Sequence, residues 1–170
     1  MRIPQRLGRE DGAAAVEFAL IVGVLAMLIF GMLQFGLTFF ELQSLRAATR
    51  EGGRLGAVEA TPNAIRSRVE TASNGAVRPG EASNTSFVKV SYSDSGTFTG
   101  SEANLTGNTT PACSSSSSST ADAGVRVQMF IANAPAHLKS LFTLNIPLLP
   151  TISMTPTIDA QFRCEGVNNT

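Results

Sequence analysis

The first part of the chain carries one long apolar run. Residues 18–40 are 23 consecutive positions without a charged side chain, and no proline interrupts them. At about 1.5 Å per residue, a helix of this length covers about 35 Å, more than the roughly 30 Å of a bilayer's hydrocarbon core. The polar side chains of the run are Gln34 and Thr38, which membrane helices tolerate. The pattern therefore predicts a transmembrane helix near the N-terminus.

The charged residues next to this run predict its orientation. Arg2, Arg6 and Arg9 precede it, whereas the first charged residue after it is Glu41. Because Lys and Arg near the ends of a span stay on the cytoplasmic side, we expect a cytoplasmic N-terminus and an exported chain beyond about residue 40. A cleaved secretory signal has a shorter apolar segment and a small-x-small cleavage pattern soon after it. A buried helix of a soluble protein normally has a polar face, which this run lacks.

Residues 42–58 are predicted to continue the helix beyond the membrane. Arg46, Arg50 and Arg54 recur at every fourth position and therefore form one stripe along it. A solvated helix face is one explanation of such a stripe. Contacts with outer-leaflet phosphates or with a partner subunit are the other. The sequence leaves these alternatives open.

Three glycines in the same segment predict a weak point in the helix. Gly52, Gly53 and Gly56 each cost about 1 kcal/mol relative to Ala in a helix interior. They allow the helix to bend, and the sequence leaves the position of the helix end open.

The rest of the chain alternates between helix and strand patterns. Thr61 and Pro62 are typical of a helix start and Gly75 of a helix stop, so a short second helix is predicted to cover a sheet. Residues 136–149 are apolar and bounded by prolines, which favours a short helix or a loop on the sheet or near the membrane. Period-two alternation predicts three strands, the last of them with a bulge or edge break at Pro156. These strands cover residues 86–93, 124–132 and 152–164.

Residues 94–122 form an insertion poor in large apolar side chains, with serines at positions 114–119. Such a segment buries little surface, and a flexible surface loop is the expected structure. An adhesive or substrate-contacting loop is the alternative. Cys113 lies in this insertion and Cys164 near the chain's end; in an oxidising compartment they can form a disulfide, and otherwise they remain two free thiols.

The overall pattern predicts an α+β fold, in which a long N-terminal transmembrane helix extends into a small exported domain with a short helix and an antiparallel sheet. The expected divisions are residues 1–12, residues 13–58 for the membrane and extended helix, and residues 59–170 for the exported domain.

Composition excludes several classes of function. The chain has 13 basic and 13 acidic side chains, so it lacks the positive charge that a nucleic-acid binder needs. Two cysteines and one histidine are too few for a structural zinc site. No nucleotide-binding, hydrolase or metalloprotease motif is present, and His137 stands among apolar residues and prolines. We therefore expect no enzyme activity, cofactor or metal.

One carboxylate stands at the edge of the apolar run. Glu17 directly precedes Phe18, and no basic residue lies within one helical turn of it. Ionisable groups at such positions usually have a partner or a function, although a carboxylate that reaches the headgroup region is tolerable without one. The sharper hypothesis is a cation supplied from elsewhere, such as the amine freed by a cut between Gly12 and Ala13.

The segment from Gly12 to about Val58 resembles the TadE-like family of pseudopilins, from the tight-adherence (Tad/Flp) branch of type IV pilus systems. The residues that carry the resemblance are Gly12 before the cut, then Glu17 and Phe18 as the fifth and sixth residues of the mature chain. In that family a membrane prepilin peptidase removes a short basic leader. The resemblance implies that residues 1–12 are the leader, and that removing 12 of the 170 residues leaves 158.

The resemblance also implies partners and a location. The expected partners are the prepilin peptidase, other pilin or pseudopilin subunits, and the pilus assembly platform in the bacterial inner membrane. The exported domain is then periplasmic, extracellular or part of the pilus. The alternative is an uncleaved, single-pass anchored binding protein of the cell envelope.

Overall fold

The computed structural model describes residues 10–113, 122–145 and 150–165. Its first element is one continuous helix of 48 residues, α1 (Glu10–Ala57). The helix is long and apolar enough to cross a membrane, and its most apolar part is not buried by the rest of the protein. The serines at positions 114–119 and the end of the chain after residue 165 lie outside the described residues.

A second helix, α2 (Pro62–Ala72), follows after a short turn. The Thr61 hydroxyl accepts a hydrogen bond from the Ala64 amide at 3.4 Å, as the N-cap pattern predicts. Beyond the helix, Asn74 and Gly75 both have positive φ, which confirms the predicted stop. The helix packs mainly against α1 and also contacts β1 of the sheet described next, while α1 packs across β2 and β5. The prediction that α2 covers the sheet is therefore confirmed for β1, and α1 covers the other two strands.

The main sheet has three antiparallel strands in the order β1-β2-β5. They are β1 (Val88–Ser93), β2 (Gly124–Phe130) and β5 (Thr157–Arg163). The register aligns apolar residues of the three strands in rows on one face, and α1 packs across β2 and β5. These rows are Val88-Met129-Ile158, Val90-Val127-Ala160 and Tyr92-Val125-Phe162. The α+β fold class and the alternation that predicted the sheet are therefore confirmed.

The chain between β2 and β5 forms a smaller unit. It contains a short helix, α3 (Ala136–Leu141), and a hairpin of two short strands, β3 (Thr143–Leu144) and β4 (Ile152–Ser153). The prediction of one strand over residues 152–164 is wrong, because β4 pairs with β3 and only β5 joins the main sheet. Pro156 lies between them and has no amide hydrogen for a ladder, which explains where the strand divides.

The three glycines lie close to the end of α1: the helix continues through Gly52 and Gly53 and ends at Ala57, directly after Gly56. All three are buried, and each faces a side chain of another element at a distance that leaves no room for a Cβ atom. At Gly53 a Cβ would lie 2.6 Å from the Phe162 ring, and at Gly56 it would lie 2.9 Å from Ile65 Cδ1. The glycines are thus the positions where the sheet and α2 approach the α1 backbone.

The connection between β1 and β2 is docked on the domain in its described part, residues 94–113. The Leu105 amide donates to Val90 O at 2.7 Å, and the Asn104 side-chain oxygen accepts from the Val90 amide at 3.2 Å. Farther along, the Ala112 amide donates to Ala60 O at 2.9 Å. Asn104 and Leu105 therefore cover the outer edge of β1. The flexibility expected for the insertion as a whole stays a prediction.

Candidate processing and assembly site

The residues predicted as a processing site lie in the first turns of α1. Gly12 and Ala13 are exposed, and a Cβ atom at Gly12 would meet no other atom within 4 Å. Helix ends open more readily than helix interiors, and no described element covers this one. The backbone on both sides of Gly12 is therefore open to approach by another protein.

Glu17 and Phe18 lie one turn farther along the helix, and both are exposed, Phe18 to 68%. Within the described residues, the Glu17 carboxylate makes no hydrogen bond or ion pair. Ala13 and Glu17 are four positions apart, which puts them on one face of α1. Since helical side chains lean toward the N-terminus, the carboxylate reaches back to the level of Ala13.

The surroundings of Glu17 make its lack of a partner costly in a membrane. The residues that follow it are apolar and exposed from Phe18 to Leu25. A carboxylate at the border of a hydrocarbon layer is disfavoured unless a cation or hydrogen-bond donor meets it. The structure thus brings an open Gly12-Ala13 junction and an unpaired acid within two turns of one helix.

The predicted arginine stripe is present and fully on the surface. Arg46, Arg50 and Arg54 are exposed along α1. Next to them, Glu51 forms an ion pair with Arg68 of α2 at 2.5 Å. The hydrogen bond and charge of Arg68 lower the pKa of Glu51, with a smaller contribution from the charge of Arg54. The stripe remains available to solvent, headgroups or a partner.

One arginine of α2 is buried, which no pattern in the sequence predicts. Arg66 is 2% exposed, and its Nε donates to Val88 O at 3.1 Å. Its terminal nitrogen donates to Leu105 O at 2.6 Å and to the Asn104 side-chain oxygen at 3.0 Å. Burial lowers the pKa of Arg66. Nothing local in the sequence indicates that the β1–β2 connection folds over Arg66.

The two cysteines are joined in the structure. Cys113 and Cys164 form a disulfide with their Cα atoms 5.6 Å apart. The bond lies beside the end of α1, because the Glu165 amide donates to Ala57 O at 2.9 Å. The covalent link therefore holds the β1–β2 connection and the end of β5 to the same place.

The remaining side chains that could bind a metal or act in catalysis do not form a cluster in the described part of the chain. His137 faces Glu81, with 3.5 Å between Nδ1 and the carboxylate oxygen, and its Nε2 lies 3.3 Å from Ala76 O. These contacts tie α3 to the turn before β1. Among the described residues, no three His, Cys, Asp or Glu side chains come together as metal ligands.

Comparison with known proteins identifies the N-terminal segment. A search of curated proteins and a search of solved structures each found no match. The family model described as TadE-like protein matches residues 12–54. That range begins at Gly12, includes Glu17 and Phe18, and ends at Arg54 on the helix that carries the domain. The N-terminal helix is therefore similar to the TadE-like family over residues 12–54, as the pattern around Gly12 and Glu17 predicts.

Proposed function

We propose that this protein is a minor pilin-like subunit, a pseudopilin, of a Tad/Flp type IV pilus, either built into the fibre or acting in its assembly. A prepilin peptidase cuts it after Gly12. The mature chain then begins at Ala13, stays anchored by α1 in the inner membrane, and carries its α+β domain on the other side. Its role is structural, and the chemistry of processing belongs to the peptidase.

The observation that carries the proposal is the unpaired carboxylate of Glu17 beside the open Gly12-Ala13 junction. A cut there creates a positive amine at the level on α1 that the carboxylate reaches. Pairing this amine of one subunit with Glu17 of a neighbour neutralises both charges where an unpaired charge is expensive. It also sets the axial register between neighbouring helices.

The exposed apolar surface of α1 supports the same assignment. Large apolar side chains surround the helix between Val16 and Phe40, and most are more than half exposed. Such a helix needs lipid, other helices or both to cover it. Pilin and pseudopilin subunits and the assembly platform are the partners that would cover it in a pilus system.

The N-terminal residue of the protein isolated from native membranes tests the processing step. We expect Ala13 as the first residue and a chain shortened by the 12 residues before it. A chain that still begins at Met1 in the functional envelope would instead support an uncleaved anchored binding protein. Gly12→Val, which adds bulk at the cut, is expected to leave the leader attached.

Exchange of Glu17 tests the assembly step. Glu17→Gln removes the charge and keeps the size, so we expect normal membrane insertion and processing but loss of co-purification with the pilus machinery. Glu41→Gln, on the same helix beyond the apolar run, is the matched control and should co-purify normally. Unchanged co-purification of Glu17→Gln would contradict the proposed role of the carboxylate.

A further inference from the structure

The β3–β4 hairpin runs along α1 toward the N-terminal end of that helix. Leu141 O lies 2.8 Å from the Thr38 hydroxyl, and Thr143 O accepts from the Gln34 side chain at 3.4 Å. From Leu141 to Thr143 the chain thus moves one helical turn back along α1, from position 38 to position 34. It moves from the domain toward the exposed apolar part of the helix.

This direction brings the hairpin into the layer that the membrane would occupy. If the hydrocarbon core begins at Phe18, 20 residues at about 1.5 Å each cover about 30 Å and reach Leu37. The contact between Gln34 and Thr143 then lies inside the boundary of that layer and the contact at Thr38 lies on it. The inference drawn here therefore rests on the membrane placement in the proposed function.

Several backbone polar groups in the described part of the hairpin have partners, which such a layer favours. β3 pairs with β4, and the Met154 amide donates to Phe142 O at 2.9 Å. The two polar side chains of the apolar run also meet backbone carbonyl oxygens here: Thr38 meets Leu141 O, and Gln34 meets Thr143 O. Non-helical backbone at membrane depth is tolerated where protein covers it, and α1 lies against this side of the hairpin.

An apolar groove lies between α1 and the hairpin. Its volume is about 460 Å³, and no charged side chain lines it. Met154 and the neighbouring Ile152 are 40% and 52% exposed, although both are large and apolar. The apolar lining comes from both sides, and its main residues are Phe35, Phe39, Leu42, Phe142, Met154 and Pro156.

We propose that the groove holds an acyl chain of a membrane phospholipid and that the hairpin anchors the domain in the membrane interface. The groove is continuous with the exposed apolar surface of α1, so lipid that covers the helix also reaches it. Lys139 is exposed on α3, four residues before Thr143, where an ammonium group suits a lipid phosphate. A second copy of α1 is the competing occupant.

Site-specific fluorescence quenching tests this inference, since the chain contains no tryptophan. Met154→Trp, Phe98→Trp and Phe30→Trp are made separately in the full chain and placed in phosphatidylcholine nanodiscs. The phosphatidylcholine is unmodified or brominated in the part of its acyl chain near the headgroup. We expect Met154→Trp to lose most of its fluorescence in the brominated lipid and Phe98→Trp, on the β1–β2 connection, to lose none.

Phe30→Trp, in the middle of the apolar run, separates the two ways in which the test can fail. If lipid brominated near the methyl end of its chain quenches Phe30→Trp but no brominated lipid quenches Met154→Trp, the helix spans the membrane and the lipid groove is wrong. If neither is quenched, the proposed membrane placement is wrong as well. Disulfide-linked dimers of Met154→Cys, together with an unquenched Met154→Trp, would assign the groove to a second copy and overturn the proposal.

Discussion

Gly52 of α1 lies so close to Val69 of α2 that a Cβ atom at Gly52 would stand 2.5 Å from Val69 Cγ2. Real side-chain atoms do not approach this closely, so any residue other than glycine must displace α2. Val69 is fully buried and is β-branched, which leaves it few alternative rotamers in a helix. The contact between the two helices therefore depends on the absence of a side chain at Gly52.

We expect Gly52→Ala to destabilise the domain despite the higher helix propensity of alanine. The propensity gain is about 1 kcal/mol, and overpacking of a filled core costs about 1–3 kcal/mol, so the net change is a loss. Thermal unfolding of the full chain in detergent measures it.

Gly36→Ala is the matched control, because a Cβ atom there meets nothing within 4 Å. It should leave the stability unchanged or slightly higher. Adding Val69→Ala to Gly52→Ala removes the clashing methyl group, so the double variant should lose less than the two single losses added together. Strict additivity of the two losses would contradict the contact.

The glycines also mark the limit of what the sequence predicts. Helix propensity reports only the cost of Gly52, Gly53 and Gly56 in an isolated helix, and it therefore predicts a weak point. The tertiary structure adds a separate reason for two of them, because the close approach of Val69 and Phe162 requires glycine at positions 52 and 53. No local pattern shows which distant side chain will meet a glycine.

Other features were predictable because their cause is local. Strand alternation fixes which residues of β1, β2 and β5 share a face, and the cap at Thr61 depends on three neighbouring residues. The membrane-spanning length of the apolar run and the position of Glu17 at its edge are likewise recognisable from the sequence without any tertiary contact. The docking of residues 104 and 105 on β1 and the burial of Arg66 depend on contacts far apart in the chain, which one sequence does not reveal.

Arg66 is expected to be a structural residue of the α+β domain. Arg66→Lys keeps the charge but loses the planar fork that serves Val88 O and Leu105 O together. Leaving buried carbonyl groups without donors costs about 1–3 kcal/mol, and chemical denaturation should show a loss of that size. Arg68→Lys, on the exposed side of the same helix, should change the stability by less than about 0.5 kcal/mol. Equal losses in both variants would contradict this role for Arg66.

The disulfide is expected to stabilise the domain through the length of chain that it closes. Cys113 and Cys164 are 51 positions apart, and a loop of that size corresponds to about 4 kcal/mol of lost unfolded-state entropy. The protein exported in an oxidising compartment should gain two hydrogen atoms in mass on reduction. The paired exchange of both cysteines for serine should lower the free energy of unfolding. A free-thiol mass in the exported protein would contradict the bond.

The Thr38 hydroxyl is expected to hold the hairpin against α1. It lies 2.8 Å from Leu141 O and 3.0 Å from Gln34 O. Thr38→Val keeps the shape and removes the donor, which leaves Leu141 O without this partner in an apolar place. Losing one hydrogen bond of about 1 kcal/mol should speed hydrogen exchange of the Met154 amide about fivefold, because that amide bonds to Phe142 O within the same unit.

Thr71→Val separates this effect from the general consequence of removing a helix threonine. The Thr71 hydroxyl donates to Ser67 O one turn back at 3.0 Å, as Thr38 does to Gln34 O, but it has no second acceptor in another described element. Hydrogen exchange of the Met154 amide should therefore be unchanged in Thr71→Val. If Thr38→Val also left this amide as protected as in the parent protein, the hydroxyl would not be what fixes the hairpin. Packing of Phe142 against α1 and the hydrogen bond from Gln34 to Thr143 O would then hold it.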